Sequence, residues 1–225
     1  MNRLTIIIPS KNAENLNVCI PALRKCEPKA RIIVIDDGIN RTHLSDSVRH
    51  KCEFIEGEKP FIFARNCNIG IATAVDSDIV LLNDDAILKT IGGLSLLQKE
   101  AENNPKYGFI GATTNVTVQI LQKPLKIGLR SLPHIAFVCV LIPRRTIEKI
   151  GLLDERYCID YGVEDRDYCE MVSRAGMLVG VHDGCYVDHG SLTSSFRGQP
   201  MRPGRSDCNR ALFVEKFKMR TYWVK

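Results

Sequence analysis

Four consecutive apolar residues running straight into a pair of carboxylates, Ile79-Val80-Leu81-Leu82-Asn83-Asp84-Asp85, constrain this chain more than any other segment. An apolar run without alternation marks a strand buried on both faces, as the strands of parallel sheets are. The polar cluster then emerges at the carboxyl end of that strand, where open α/β sheets bind ligands. Two adjacent carboxylates at such a tip repel each other and lose hydration. A cation such as Mg2+ or Mn2+, shared with a substrate phosphate, offsets both costs.

The rest of the chain supplies the sheet such a strand needs. Strand-like runs at Leu4 to Ile8, Arg31 to Ile35, Glu53 to Ile55, Ile79 to Leu82 and Tyr107 to Ile110 alternate with helical patterns at Glu14 to Lys25, Phe63 to Val75 and Thr90 to Asn103. That alternation predicts an α/β fold: a Rossmann-like, mostly parallel central sheet flanked by helices. Asn12 stands as a cap for the first helix, and Pro21 is expected to kink or shorten it. Beyond Ile110, Gln122 to Pro133 reads as a mobile loop, Ile135 to Ile142 as an apolar run, and Arg144 to Ile150 and Gly162 to Ala175 as helices. Ser191 to Asp207 reads as disordered or as a lid.

With 225 residues the chain has room for one sizeable domain. No stretch approaches the roughly 18 to 20 apolar residues of a membrane span, and the amino terminus reads as a strand rather than a leader, which predicts a cytoplasmic protein. Nine cysteines without a Cys-x-x-Cys pair argue for buried thiols rather than disulfides or a zinc site. The net charge of +5 belongs to the end of the chain, where residues 190–225 hold eight Lys/Arg against two acids. Such a tail is a solvated surface, or it meets an anionic acceptor, a diphosphate or a membrane surface.

Polar groups punctuate the strand ends in a fixed order: Pro9-Ser10-Lys11-Asn12, Asp36-Asp37-Gly38, Arg65-Asn66 at a helix start, and Asn83-Asp84-Asp85. Asp36 or Asp37 can accept hydrogen bonds from a base or ribose, although Asp-Asp-Gly alone is more often a turn. Arg65 can meet a phosphate or a ribose-binding carboxylate. Asp84 or Asp85 has a plainer alternative as a helix cap.

These motifs in this order, continued by Gly151-Leu152-Leu153-Asp154-Glu155, Tyr161-Gly162-Val163-Glu164-Asp165-Arg166-Asp167 and His189, resemble family-2 glycosyltransferases of the GT-A fold. The resemblance implies a nucleotide-sugar half at 1–111, an acceptor half at 112–189 and a basic lid or tail at 190–225. It implies that Pro9, Ser10, Asn12, Asp36, Asp37, Arg65, Asn83 and Asp84 line the donor site, with Asp85 as the ligand of Mn2+ or Mg2+. Asn83 departs from the family's usual Asp at the first position of this motif. Asp165 is implied as the general base with Glu164 beside it, and His189 as the completion of the metal site, although a lone histidine is more often structural. Arg197, Arg202 and Arg205 would clamp the leaving diphosphate from the lid.

The activity implied is metal-dependent, inverting transfer of a sugar from a nucleoside diphosphate to a hydroxyl of a glycan, a lipid-linked glycan or a nucleic acid. One rival is a nucleotidyltransferase, which usually wants a glycine-rich phosphate loop that Pro9-Ser10-Lys11-Asn12 does not supply. Another is a basic nucleic-acid-binding module, which gives no reason for Glu164-Asp165.

Overall fold

The computed structural model describes residues 3–117, 119–157, 162–194 and 205–219, without the side chains of 205–207. In chain order the first half comprises β1 (Arg3–Ser10), α1 (Ala13–Cys26), β2 (Arg31–Asp36), α2 (Asp46–Arg49), β3 (Glu53–Glu56), α3 (Phe63–Thr73), β4 (Ser77–Leu82) and β5 (Ile87–Leu88). The second comprises α4 (Gly93–Asn103), β6 (Tyr107–Thr114), β7 (Leu129–Leu132), β8 (Cys139–Ile142), α5 (Arg144–Ile150), α6 (Glu164–Arg174), β9 (Leu178–Asp188) and α7 (Arg205–Phe217).

One sheet runs β3-β2-β1-β4-β8-β6-β9-β5, with β7 added against β9. The pairs β3-β2, β2-β1, β1-β4 and β6-β9 are parallel. The pairs β4-β8, β8-β6, β9-β5 and β9-β7 are antiparallel. The expected parallel sheet therefore describes the first half, while the second is mixed. Apolar periodicity reports burial and not strand direction, so the reversal at β8 has no signature in the sequence.

Alternate residues of the central strands feed two cores on opposite faces of the sheet. Ile6, Ile8, Val80 and Leu82 join the core under α1 and α4. Ile7, Ile79 and Leu81 join the one containing α3, α5 and α6 residues. All six residues of β4 are buried, so truncating Leu81 to Ala would cost about 2–5 kcal/mol. Gly70 lets α3 lie directly on β1: a Cβ there would stand 2.5 Å from Ile7 Cγ2.

Asn12 caps α1 by accepting from the Asn15 N–H at 3.1 Å. The helix runs on through Pro21 to Cys26, so the proline does not shorten it. The segment read as a mobile loop also differs, since Leu129–Leu132 pairs with β9. Arg205–Phe217, read as part of a flexible tail, forms α7 instead. Its Phe213 and Phe217 are buried with Tyr157 and Val163, and Lys216 pairs with Asp154 and Asp167 at 2.8 and 2.7 Å. Among the described residues no helix is long and apolar enough to cross a membrane.

Candidate active site

The carboxyl ends of β1, β2 and β4 lie side by side because the strands are parallel neighbours in register, Ser10 opposite Asp36 and Ile7 opposite Leu81. After β4 the chain turns sharply, with the Ala86 N–H donating to the Asn83 carbonyl at 3.1 Å. It then enters β5 and not a helix, which removes the reading of Asp84 or Asp85 as a cap. β5 pairs Ile87 with Asp188 at the end of β9. That short pairing brings His189 to Asp85.

The His189 Nε2 lies 3.1 Å from Asp85 Oδ1 and 3.5 Å from Asn83 Nδ2. The other ring nitrogen, Nδ1, is 2.9 Å from the Val116 carbonyl. A carbonyl can only accept, so Nδ1 carries a proton, and in the neutral ring Nε2 turns its lone pair toward a carboxylate oxygen. Two acceptors that close need a positive charge between them, a proton on Nε2 or a metal ion. Adjacent donors on an octahedral ion with bonds of about 2.1 Å stand about 3 Å apart, so Asp85 and His189 fit a divalent metal. Among the described residues no group of three His, Cys, Asp or Glu is placed to hold one; remaining positions would fall to ligand oxygens or water.

Asp84 is buried and faces β1, accepting from Ser10 Oγ at 2.6 Å and from Asn15 Nδ2 at 3.5 Å. Burial pushes its pKa up to about 6; Asp85 adds to the rise, while Ser10, Asn15 and Lys11 oppose it. Asn15 also donates to the Thr193 carbonyl at 2.9 Å, tying the chain after His189 to the same corner. No sequence motif pointed to Asn15, although a buried asparagine on an apolar helix face is a signal in itself.

The second acidic pair opens α6. Val163, just before it, has φ 90°, a left-handed conformation strained for a β-branched residue. Glu164 is buried, and burial raises its pKa to about 8 against the N–H groups of its own residue and Gly162. Asp165 is partly exposed. Burial raises its pKa too, opposed by backbone N–H groups that include those of Arg166 and Phe137, the former at 2.7 Å. Near neutral pH Glu164 therefore holds its proton, so the pair does not set two full charges side by side.

The two acidic clusters meet across one dipeptide. The Phe137 N–H is close enough to the Asp165 carboxylate to lower its pKa, and the Val138 carbonyl accepts from the Asn83 N–H at 3.0 Å. Phe137-Val138 thus places Asp165 and Asn83-Asp84-Asp85 at the same end of the sheet.

The other expected residues are held more locally. Pro9 lies in β1 opposite Ile35. Asp36 accepts from the Gly38 and Ile39 N–H groups at 2.9 and 2.7 Å and from Arg41 Nε at 2.9 Å, which makes it the turn former. Asp37 pairs with Lys59, and its N–H donates to the Ser10 carbonyl at 2.8 Å. Arg65 Nε stands 3.5 Å from Glu58 and 3.4 Å from Glu155. Asn68 anchors that second carboxylate's loop through Leu153 and Glu155. Asp188, just before His189, accepts from Asn115, Gly190 and Ser191. Arg197 and Arg202 lie outside the described residues, as does the side chain of Arg205.

A search among curated proteins finds no match to this chain. Among solved structures, the crystal structure of GalNAc-T7 with UDP, GalNAc and Mn2+ superposes with a TM-score of 0.75 at 14% identity, over 96% of this chain and 48% of that one. The chain thus spans about half the length of that protein, and the likeness assigns it the GT-A fold. The family model described as Glycosyl transferase family 2 matches residues 5–151, covering every strand-end motif from β1 to β8. The chain belongs to glycosyl transferase family 2.

Proposed function

We propose that this glycosyltransferase moves a sugar from a nucleoside diphosphate to an acceptor hydroxyl with inversion, holding Mn2+ or Mg2+ at Asp85 and His189. The observation that supports the reading is the Phe137-Val138 dipeptide, which neighbours Asp165 through one residue and Asn83 through the other. Asp165 takes the proton of the acceptor hydroxyl as its oxygen bonds to the anomeric carbon and the bond to the diphosphate breaks. A raised pKa makes it a stronger base than an ordinary aspartate, and Glu164, protonated near pH 7, adds no second charge against that ionisation. When bound, the ion supplies positive charge to the departing diphosphate oxygens. Ser10, Asn12, Asp84 and Asp37, at or just past the carboxyl ends of β1, β2 and β4, would meet ribose and base, and Arg65 in the first turn of α3 a phosphate. The acceptor is a glycan, a lipid-linked glycan or a nucleic acid.

The test screens UDP, GDP, CDP and dTDP sugars for a rise in melting temperature with and without Mn2+, since ligands bound only by the folded state stabilise it. Transfer with the identified donor, followed by the anomeric configuration of the product by NMR, then examines inversion. Asp165→Asn should lower kcat by about 1000-fold with donor affinity unchanged. Full turnover in that variant, a retained anomer, or no donor response with either metal would refute the proposal.

A further inference from the structure

We propose that the loop spanning residues 116–127 docks the protein onto an anionic lipid surface, beside the mouth of the site. Of the ten exposed large apolar side chains among the described residues, five fall within these twelve positions: Val116, Ile120, Leu121, Leu125 and Ile127. Ile120 and Ile127 are 72% and 67% exposed, far beyond the single scattered apolar residue that a folded surface carries without consequence.

Five backbone groups in and beside this loop are held from the protein side. Asp183 accepts from the Leu125, Ile127 and Gly128 N–H groups at 3.0, 2.7 and 3.1 Å. Arg130 donates to the Leu121 and Lys123 carbonyls at 2.9 and 2.8 Å and pairs with Asp183 at 2.7 Å. A loop laced from below in this way turns its side chains outward and can enter a low-polarity interface without stranding those amides and carbonyls.

Charge selects the occupant. Lys123 and Lys126 are exposed between the apolar residues, and Lys126 sits at φ 58°, at a tight bend in the loop. Residues 103–147 contain six Lys/Arg and not one Asp or Glu. Apolar side chains interleaved with lysines, over a span without acids, complement a sheet of anionic headgroups above acyl chains. The loop is also continuous with the site, because Val116 supplies the carbonyl that holds His189. Docking would present an acceptor hydroxyl from the lipid side.

The experiment is sedimentation of the full chain with phosphatidylcholine vesicles and with vesicles containing about a third phosphatidylglycerol, with no donor or metal present. That readout is independent of sugar transfer, so it can fail while the proposed reaction stands. The wild type should bind the anionic vesicles more tightly than the neutral ones. Because each lysine near such a surface strengthens binding about fivefold, Lys123→Glu/Lys126→Glu should weaken partitioning by about 25-fold or more. Ile120→Ser/Ile127→Ser should weaken it at least about tenfold, and both should melt like the wild type because the side chains changed are exposed. No binding of the wild type to anionic vesicles would overturn the proposal, as would either double variant binding undiminished. Concentration-dependent dimerisation abolished by the serine variant, without lipid binding, would assign the patch to a second copy of the chain and likewise overturn it.

Discussion

Replacing Asp84 with Asn separates what burial of the carboxylate costs from what the carboxylate contributes to catalysis. Its pKa of about 6 lies above the ordinary 3.8, so the folded state keeps the proton longer than the unfolded chain does. Stability therefore falls as pH rises from about 4 to about 6 and stays lower above that. A difference of roughly 2 units at 1.36 kcal/mol each makes the loss about 3 kcal/mol. Asparagine never ionises, so it removes this slope. It keeps an acceptor for Ser10 Oγ, while its amide would face Asn15 Nδ2, a donor against a donor, at a cost of about 1 kcal/mol. The variant should thus be about 1 kcal/mol less stable than the wild type at pH 4 and about 2 kcal/mol more stable at pH 8. Titrating groups that do not interact with Asp84, Glu164 among them, are common to both proteins and cancel in the comparison, while the repulsion from Asp85 is part of the shift being removed. For a chain of this length the gap in melting temperature should swing by roughly 6–12 °C between the two pH values. The assay is calorimetry of both proteins with a chelator present, so that no ion biases the carboxylate. An equal stability difference at pH 4 and pH 8 would refute the reasoning.

Asp85→Ala and His189→Ala should each raise the Mn2+ concentration needed for half-maximal donor binding by at least about tenfold; a titration curve unmoved in either variant would remove that residue from the metal site. Lys216→Met should destabilise the protein by about 2–4 kcal/mol in urea unfolding, because Asp154 and the buried Asp167 lose their shared cation. Adding Asp167→Asn should restore part of that loss, and a loss below about 0.5 kcal/mol in the single variant would show that the ion pairs contribute little.

Much of the donor half was legible because its signals are local. The runs ending at Ile8, Ile35 and Leu82 became β1, β2 and β4, and Asn12 capped the helix expected after the first of them. The approach of Asp85 to His189 was implied only by resemblance, since it depends on β5, two residues long and too short for any periodicity to reveal. Phe137 was invisible as a site residue because it contributes a backbone N–H, which every residue but proline carries. The docked helix α7 escaped notice for a related reason. Its apolar residues Leu212, Phe213 and Phe217 are few, and what fixes it is a cluster shared with Tyr157 and Val163, a long-range contact that no window along the chain contains.

The left-handed Val163 makes the aim of Asp165 a property of distant sequence. A valine at φ 90° persists only where its surroundings over-determine it, and those surroundings include Phe213 and Phe217, some fifty residues downstream. Shortening the protein at residue 189 would leave Asp85, Asp165 and His189 in place on paper. It would also withdraw the aromatic wedge that holds the peptide before Glu164 in its cocked state, so a trimmed enzyme could bind its donor and still be slow.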